Sequence, residues 1–181
     1  MRLFLATKLP LAAERAAGAL LAAAGPLFGP SVKWTRPENL HLTYAFLGET
    51  ADSRLPALRA LLGGTASAFP RVRAELGGLG AFPSLERPRV LWLGLKEENQ
   101  GALAEIAGRL REGLPGAGRE EFVPHVTLGR VKAPPPPAAL AALAKAAGLG
   151  LPVELAALAL YESRTGPAGP EYRELFSAPL L

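Results

Sequence analysis

Both histidines of this 181-residue chain stand two places before a threonine, in His41-Leu42-Thr43-Tyr44 and His125-Val126-Thr127-Leu128. The form is the same each time: His, apolar, Thr, apolar. The copies lie 84 positions apart, near half the chain, and Thr fills only seven positions in all. Each copy sits in a run rich in apolar residues that reads as a strand. Side chains alternate across a strand, so His41 and Thr43 share one face while Leu42 and Tyr44 take the other. His125 and Thr127 stand likewise against Val126 and Leu128. Two like strands in two like halves suggest a pseudo-twofold axis, which would turn both His-Thr pairs toward one cleft.

Two imidazoles and two hydroxyls around a small anion suit phosphodiester chemistry. One neutral imidazole takes a proton from the attacking hydroxyl or water, and one imidazolium gives a proton to the leaving oxygen. Thr hydroxyls donate to non-bridging oxygens, where charge gathers. Which histidine is acid and which is base does not follow from the spacing. The competing reading is two unrelated sheet histidines, each satisfied by a neighbour. It explains one copy well and two copies poorly.

Composition removes other chemistries. There is no Cys, so disulfides, thiol nucleophiles and thiolate metal sites are excluded. Asp52 is the single Asp beside fifteen Glu, so no Asp cluster for a two-metal site exists. A zinc site would need distant Glu ligands to complete two His. The net charge is +4, and fifteen of twenty cations are Arg, which suits bidentate contact with phosphate. The Arg, Pro, Ala and Gly bias also fits a GC-rich genome, and scarce Asn, Gln and Met fit a thermophile. Charge permits an anionic substrate without identifying one.

Along the chain, strands are expected at Leu3 to Leu9, Val32 to Thr35, Leu40 to Leu47, Arg71 to Leu79, Val90 to Leu95, Phe122 to Arg130, Leu151 to Tyr161 and Tyr172 to Phe176. Helices are expected from Pro10 to about Ala24, from Asp52 to Ala68 capped by Asp52 or Ser53, from Glu97 to Leu114, and from Ala138 to Ala147. Gly77, Gly78, Gly80 and Pro83 suggest a loop or bulge. The prolines at 134–137 read as a stiff lead-in to a helix rather than a polyproline ligand. The segment Ala16 to Gly29 is apolar but too short to span a membrane and holds Pro26. A cytoplasmic protein with no membrane segment is therefore expected, as one unit over 1–181.

The context of the motifs resembles a known family. Paired H-x-T-x motifs are the signature of the 2H phosphoesterases. The run from Trp34 through His41-Leu42-Thr43-Tyr44-Ala45-Phe46-Leu47-Gly48-Glu49 is similar to the first motif of the bacterial RNA 2′,3′-cyclic phosphodiesterase (2′-5′ RNA ligase) group. Phe122-Val123-Pro124-His125-Val126-Thr127-Leu128-Gly129-Arg130 matches the second. The opening Arg2-Leu3-Phe4-Leu5-Ala6 and the late Leu160-Tyr161-Glu162-Ser163 match as well. The resemblance implies a bilobal α+β fold, each lobe an antiparallel sheet with outer helices and the active cleft between lobes. It implies hydrolysis of RNA 2′,3′-cyclic phosphates to 2′-phosphates, and joining of tRNA halves through a 2′-5′ linkage, with no metal or nucleotide cofactor. His41 then corresponds to the proton donor and His125 to the acceptor, with Thr43, Thr127 and Arg130 on the phosphate. A monomer acting on RNA ends is expected.

Arg130 raises a question of geometry. Strict alternation puts it on the face opposite His125, unless Gly129 introduces a bulge. Tyr161 and Trp34 are stacking candidates for a base, or core aromatics. The alternatives in activity are a small-nucleotide cyclic phosphodiesterase, acting on cyclic ADP-ribose phosphates or 2′-5′ oligoadenylates, and a non-catalytic RNA-end binding protein. Two proton-transfer groups exceed what binding alone requires.

Overall fold

The two motif strands lie side by side at the centre of the molecule, and the sheet grows outward from them. In this computed structural model, which describes residues 1–114, 121–166 and 169–181, the strands are β1 Arg2–Lys8, β2 Val32–Trp34, β3 His41–Glu49, β4 Val72–Phe82, β5 Val90–Glu97, β6 His125–Val131, β7 Leu151–Leu155, β8 Ala157–Gly166 and β9 Gly169–Pro179. All pair antiparallel, in the order β7-β4-β5-β6-β3-β1-β8-β9, with β2 also on β6. An axis exchanging β3 and β6 carries β1 onto β5, β8 onto β4 and β9 onto β7. The sheet curls into a half-barrel of two lobes, and the fold is α+β as the resemblance implied.

Four helices, α1 Leu11–Ala24, α2 Leu55–Ala66, α3 Ala102–Glu112 and α4 Pro137–Ala146, cover its outer face. Helix α2 lies on β8 and β9, α3 on β3, α4 on β4, and α1 against α4. Their apolar stripes recur at helical spacing, as in Leu103, Ile106, Ala107 and Leu110 of α3, all fully buried. These side chains join Leu42, Val126, Leu128, Leu91 and Leu93 in one continuous core. A separate small cluster of Phe4, Ala6, Ala159 and Tyr161 sits on the concave face.

Several boundaries differ from the sequence reading. Helix α3 starts at Ala102 rather than Glu97, because Gly101 adopts φ 99° and Glu97 stays in β5. The Glu97 carboxylate then accepts the Leu103 amide at 2.6 Å, satisfying one of the helix's free amides. Asp52 and Ser53 do not cap α2: Asp52–Arg54 is a 3-10 turn, and α2 follows with no side-chain cap. The expected strand Leu151 to Tyr161 divides at Ala156 into β7 and β8, which lie in different lobes. Strand β4 continues to Phe82 across a bulge at Gly78, whose φ of 77° suits glycine. Pro137 opens α4, with the preceding prolines leading in.

The apolar segment near the start is longer than its sequence suggests. A 3-10 stretch, Gly25–Ser31, extends α1 so that Leu11–Ser31 is apolar and long enough to cross one by length and composition. Ala13, Ala17, Leu20, Leu21 and Ala24 are nevertheless buried in the core, and Gly29 at φ 53° breaks the helix. One stripe of the helix is therefore packed on the sheet core.

Candidate active site

Strands β3 and β6 touch at one register pair, Leu42 opposite Val126. These are the central apolar residues of the two motifs. Antiparallel pairing about that point sets His41 toward Thr127 and Thr43 toward His125. Both backs are buried, Leu42 and Val126 at 0% exposure, so the His and Thr side chains face the concave side. The four groups therefore converge where the lobes meet.

The local geometry repeats as closely as the sequence. His41 Nδ1 lies 2.6 Å from the carbonyl oxygen of Asn39, and His125 Nδ1 lies 2.7 Å from that of Val123. Each partner stands two residues before its histidine. A carbonyl only accepts, so each Nδ1 carries the hydrogen and each Nε2 is left free. Burial lowers the pKa of His41 below its ordinary value; the Asn39 bond opposes this, and the charge of His125 adds to it. Burial lowers His125 too, opposed by the bond to Val123. Both rings are thus biased toward the neutral form in the free protein.

The same bulge follows each threonine. On β3, Thr43 pairs with Ala6 and Ala45 with Leu5, leaving Tyr44 without an opposite residue. On β6, Thr127 pairs with Trp92 and Gly129 with Leu91, leaving Leu128 likewise. The extra residue reverses the alternation beyond it. Leu128 and Gly129 are both buried and Arg130 emerges exposed on the cleft face, while Phe46 emerges on β3 with 74% exposure. Gly129 is needed because a Cβ there would lie 2.7 Å from Val32 and 2.8 Å from Trp34.

A cavity of about 480 Å³ gathers Thr43, Phe46, Phe82, His125, Thr127 and Arg130, a volume suited to a mononucleotide. His41 does not line this cavity; it lines a depression with Phe4, Lys8, Tyr161 and Tyr172, close enough to His125 for that ring's charge to act on it. The Arg130 charge reaches across to the Tyr172 phenol, offsetting part of the rise that burial causes in its pKa. Among the described residues, no three of His, Asp or Glu cluster where a metal ion could be held.

The flanks of the two histidines are unlike. His41 packs against Phe4, at 5.0 Å, and against Tyr172, at 5.3 Å and nearly perpendicular, and these two rings also touch each other at 4.9 Å. His125 is flanked by Phe82, at 4.9 Å edge-on, and Trp92, at 5.8 Å. Trp92 lies over Gly80, where any Cβ would overlap its ring. Sequence reasoning missed Phe46, Phe82 and Trp92. Of the two aromatics it weighed, Tyr161 stacks on Phe4 beneath the cleft and Trp34 packs edge-on against Phe28 in the core.

Comparison with known proteins bears directly on this arrangement. The family model described as the 2′-5′ RNA ligase superfamily matches residues 30–167. This chain belongs to that superfamily. A Thermus thermophilus protein named RNA 2′,3′-cyclic phosphodiesterase is 37% identical over 187 residues, spanning 97% of this chain and 88% of its own. One of the same name from Archaeoglobus fulgidus is 35% identical over 147 residues, spanning 80% and 81%. Among solved structures, TT0787 of Thermus thermophilus superposes with a TM-score of 0.78 at 32% identity, over 99% of this chain and 98% of that one. E. coli LigT complexed with 3′-AMP gives 0.75 at 28% identity, over 99% and 97%. Both solved structures thus superpose over 99% of this chain.

Proposed function

We propose that this protein hydrolyses RNA 2′,3′-cyclic phosphodiester ends to 2′-phosphomonoesters by acid–base catalysis from two histidines. The observation that carries the reading is the meeting of the two motifs at Leu42 and Val126, with each Nδ1 tied back to its own strand. That leaves the His125 Nε2 free at the cavity and the His41 Nε2 free in the neighbouring depression. The names of the relatives support the substrate class.

In the mechanism, water attacks phosphorus as His125 Nε2 takes its proton. The bond from phosphorus to O3′ breaks, and His41, entering as the imidazolium, gives its Nε2 proton to O3′. One water is consumed and the phosphate remains on O2′. Thr43 and Thr127 donate to the non-bridging oxygens, and the Arg130 guanidinium balances their charge. Proton exchange with solvent returns His41 to the charged form and His125 to the neutral one. A 5′-hydroxyl end held in place of water takes the same displacement to a 2′-5′ linkage, the route by which tRNA halves would be joined.

The test is incubation with RNA ending in 2′,3′-cyclic phosphate, with and without exhaustive chelation. Release of the 2′-phosphate isomer in both arms is expected. A 3′-phosphate product, or tight binding with no turnover, overturns the reading in favour of another reaction or of a binding protein.

A further inference from the structure

Lys33 on β2 stands directly opposite Arg130 on β6, in register. Opposite residues of an antiparallel pair project to the same face, and like charges so placed are destabilising. Both are exposed, and neither joins an ion pair among the described residues. An uncompensated cation pair at the mouth of the cavity that Arg130 lines is a cost that an anion would offset.

The unpaired charge continues outward. The Arg89 carbonyl accepts the amide of Val131, so the ends of β5 and β6 are joined immediately beyond Arg130. There the 83–89 connection and the proline-rich segment after β6 enclose a groove of about 890 Å³, lined by Arg87, Arg89 and Lys132 over Leu85, Val131 and Leu140. All three cations are exposed, and none is in an ion pair among the described residues. The single acid on this groove, Glu86, is hydrogen-bonded by Ser84 instead. The opposite rim of the cleft is different: Glu162 pairs with Arg164, Glu38 with Arg36, Glu14 with Lys8, and Glu174 accepts the Tyr161 hydroxyl.

We propose that Lys33, Arg87, Arg89 and Lys132 form a track for the phosphodiester backbone of a single-stranded RNA whose cyclic-phosphate end occupies the cavity at Arg130. The inference rests on the proposed phosphodiesterase reading and deepens it, because the track favours an oligomer over a free cyclic mononucleotide. A row of basic side chains without base-reading groups gives affinity that is independent of sequence and sensitive to salt.

The experiment compares wild type with Lys33→Gln/Arg89→Gln/Lys132→Gln and with a control of equal charge loss at exposed arginines of α1, of the turn before α2 and of α3, Arg15→Gln/Arg54→Gln/Arg109→Gln. The substrates are an eight-nucleotide RNA ending in 2′,3′-cyclic phosphate and a 2′,3′-cyclic mononucleotide. The ratio of kcat/KM, oligomer over mononucleotide, should fall at least about tenfold in the track variant only. The slope of log affinity against log salt for the oligomer should shrink by about 2, at roughly 0.7 per lost phosphate contact. A ratio and slope equal to the control's overturn the track and leave the phosphodiesterase reading standing. Anisotropy with a fluorescent oligomer ending in 2′-phosphate separates the two ideas: if no substrate is turned over, a selective loss of affinity in the track variant still carries the track, and unchanged affinity overturns it.

Discussion

Arg130 and Phe46 occupy equivalent positions in the two lobes, five residues after His125 and His41 and two beyond matching bulges at Leu128 and Tyr44. Both therefore face the cleft, one as a cation and one as an aromatic exposed over 74% of its surface. The symmetry supplies two positions, and the side chains make them different. Arg130→Lys should lower kcat/KM by about 10- to 100-fold, since a point charge cannot replace planar bidentate contact with phosphate. Phe46→Ala should raise KM about tenfold with kcat near wild type, the scale of one lost base stack. A larger loss in kcat than in KM for Phe46→Ala would contradict that division.

His41→Ala and His125→Ala should each reduce turnover by at least about a hundredfold, the usual scale of a general acid or base. Thermal melts should show both variants folded, because each ring lies on the cleft face. A p-nitrophenyl ester needs little protonation of its leaving group and should partly rescue His41→Ala alone. Rescue of His125→Ala instead would reverse the two roles.

Burial lowers the pKa of both imidazoles below the ordinary 6.5. The acid limb of kcat/KM, where the base becomes protonated, and the alkaline limb, where the acid loses its proton, should both move down. The free-enzyme bell should then be centred on the acid side of 6.5. Bound phosphate stabilises imidazolium, so the maximum in kcat should lie at higher pH than that in kcat/KM. Steady-state kinetics from about pH 4.5 to 9 decides the point, and coincident maxima would show that the substrate charge does not reach the rings.

The same shifts enter stability with a definite sign. Between the folded and unfolded histidine pKa values the unfolded chain binds more protons. Stability present above the unfolded value, about 6.5, is therefore lost as pH falls toward the folded value. Chemical denaturation at about pH 7 and pH 5 should show the decline, and replacing His41 by Gln should reduce it. An identical pH slope in that variant would mean other groups cause the loss.

Gly80→Ala should disturb the site without touching substrate. The new Cβ overlaps the Trp92 ring, which flanks His125. Displacing the indole should cost about 1–3 kcal/mol of stability by overpacking. It should also move the kcat/KM limb assigned to His125, and a smaller indole substitute, Trp92→Leu in the Gly80→Ala background, should recover stability but not the limb. An unmoved limb in both variants would confine Trp92 to packing.

The order of elements was legible from the chain because period and punctuation are local properties. Short apolar runs closed by Pro or Gly marked β1 and β3, an apolar run marked β5, weak alternation marked β4, and Leu103, Ile106 and Leu110 marked α3. Where the reading erred, a non-local contact or a turn conformation decided. Glu97 belongs to β5 and only its carboxylate reaches α3. The break at Ala156 appears once β7 joins β4 and β8 joins β1.

The His-x-Thr repeat by itself established that each imidazole would share a strand face with a hydroxyl, since side-chain alternation needs only two or three consecutive residues. It also carried the half-and-half symmetry. Tertiary structure decided the rest. The Leu42–Val126 pairing brings residues 84 positions apart into one register. The bulge beyond Thr127 turns Arg130 into the cleft against strict alternation, because a bulge depends on how two strands are paired and not on the residues of one. The aromatic flanks of each histidine come from other strands, Phe4 and Tyr172 for one and Phe82 and Trp92 for the other. No local pattern encodes such neighbours; they follow only from which strands the folded sheet places side by side.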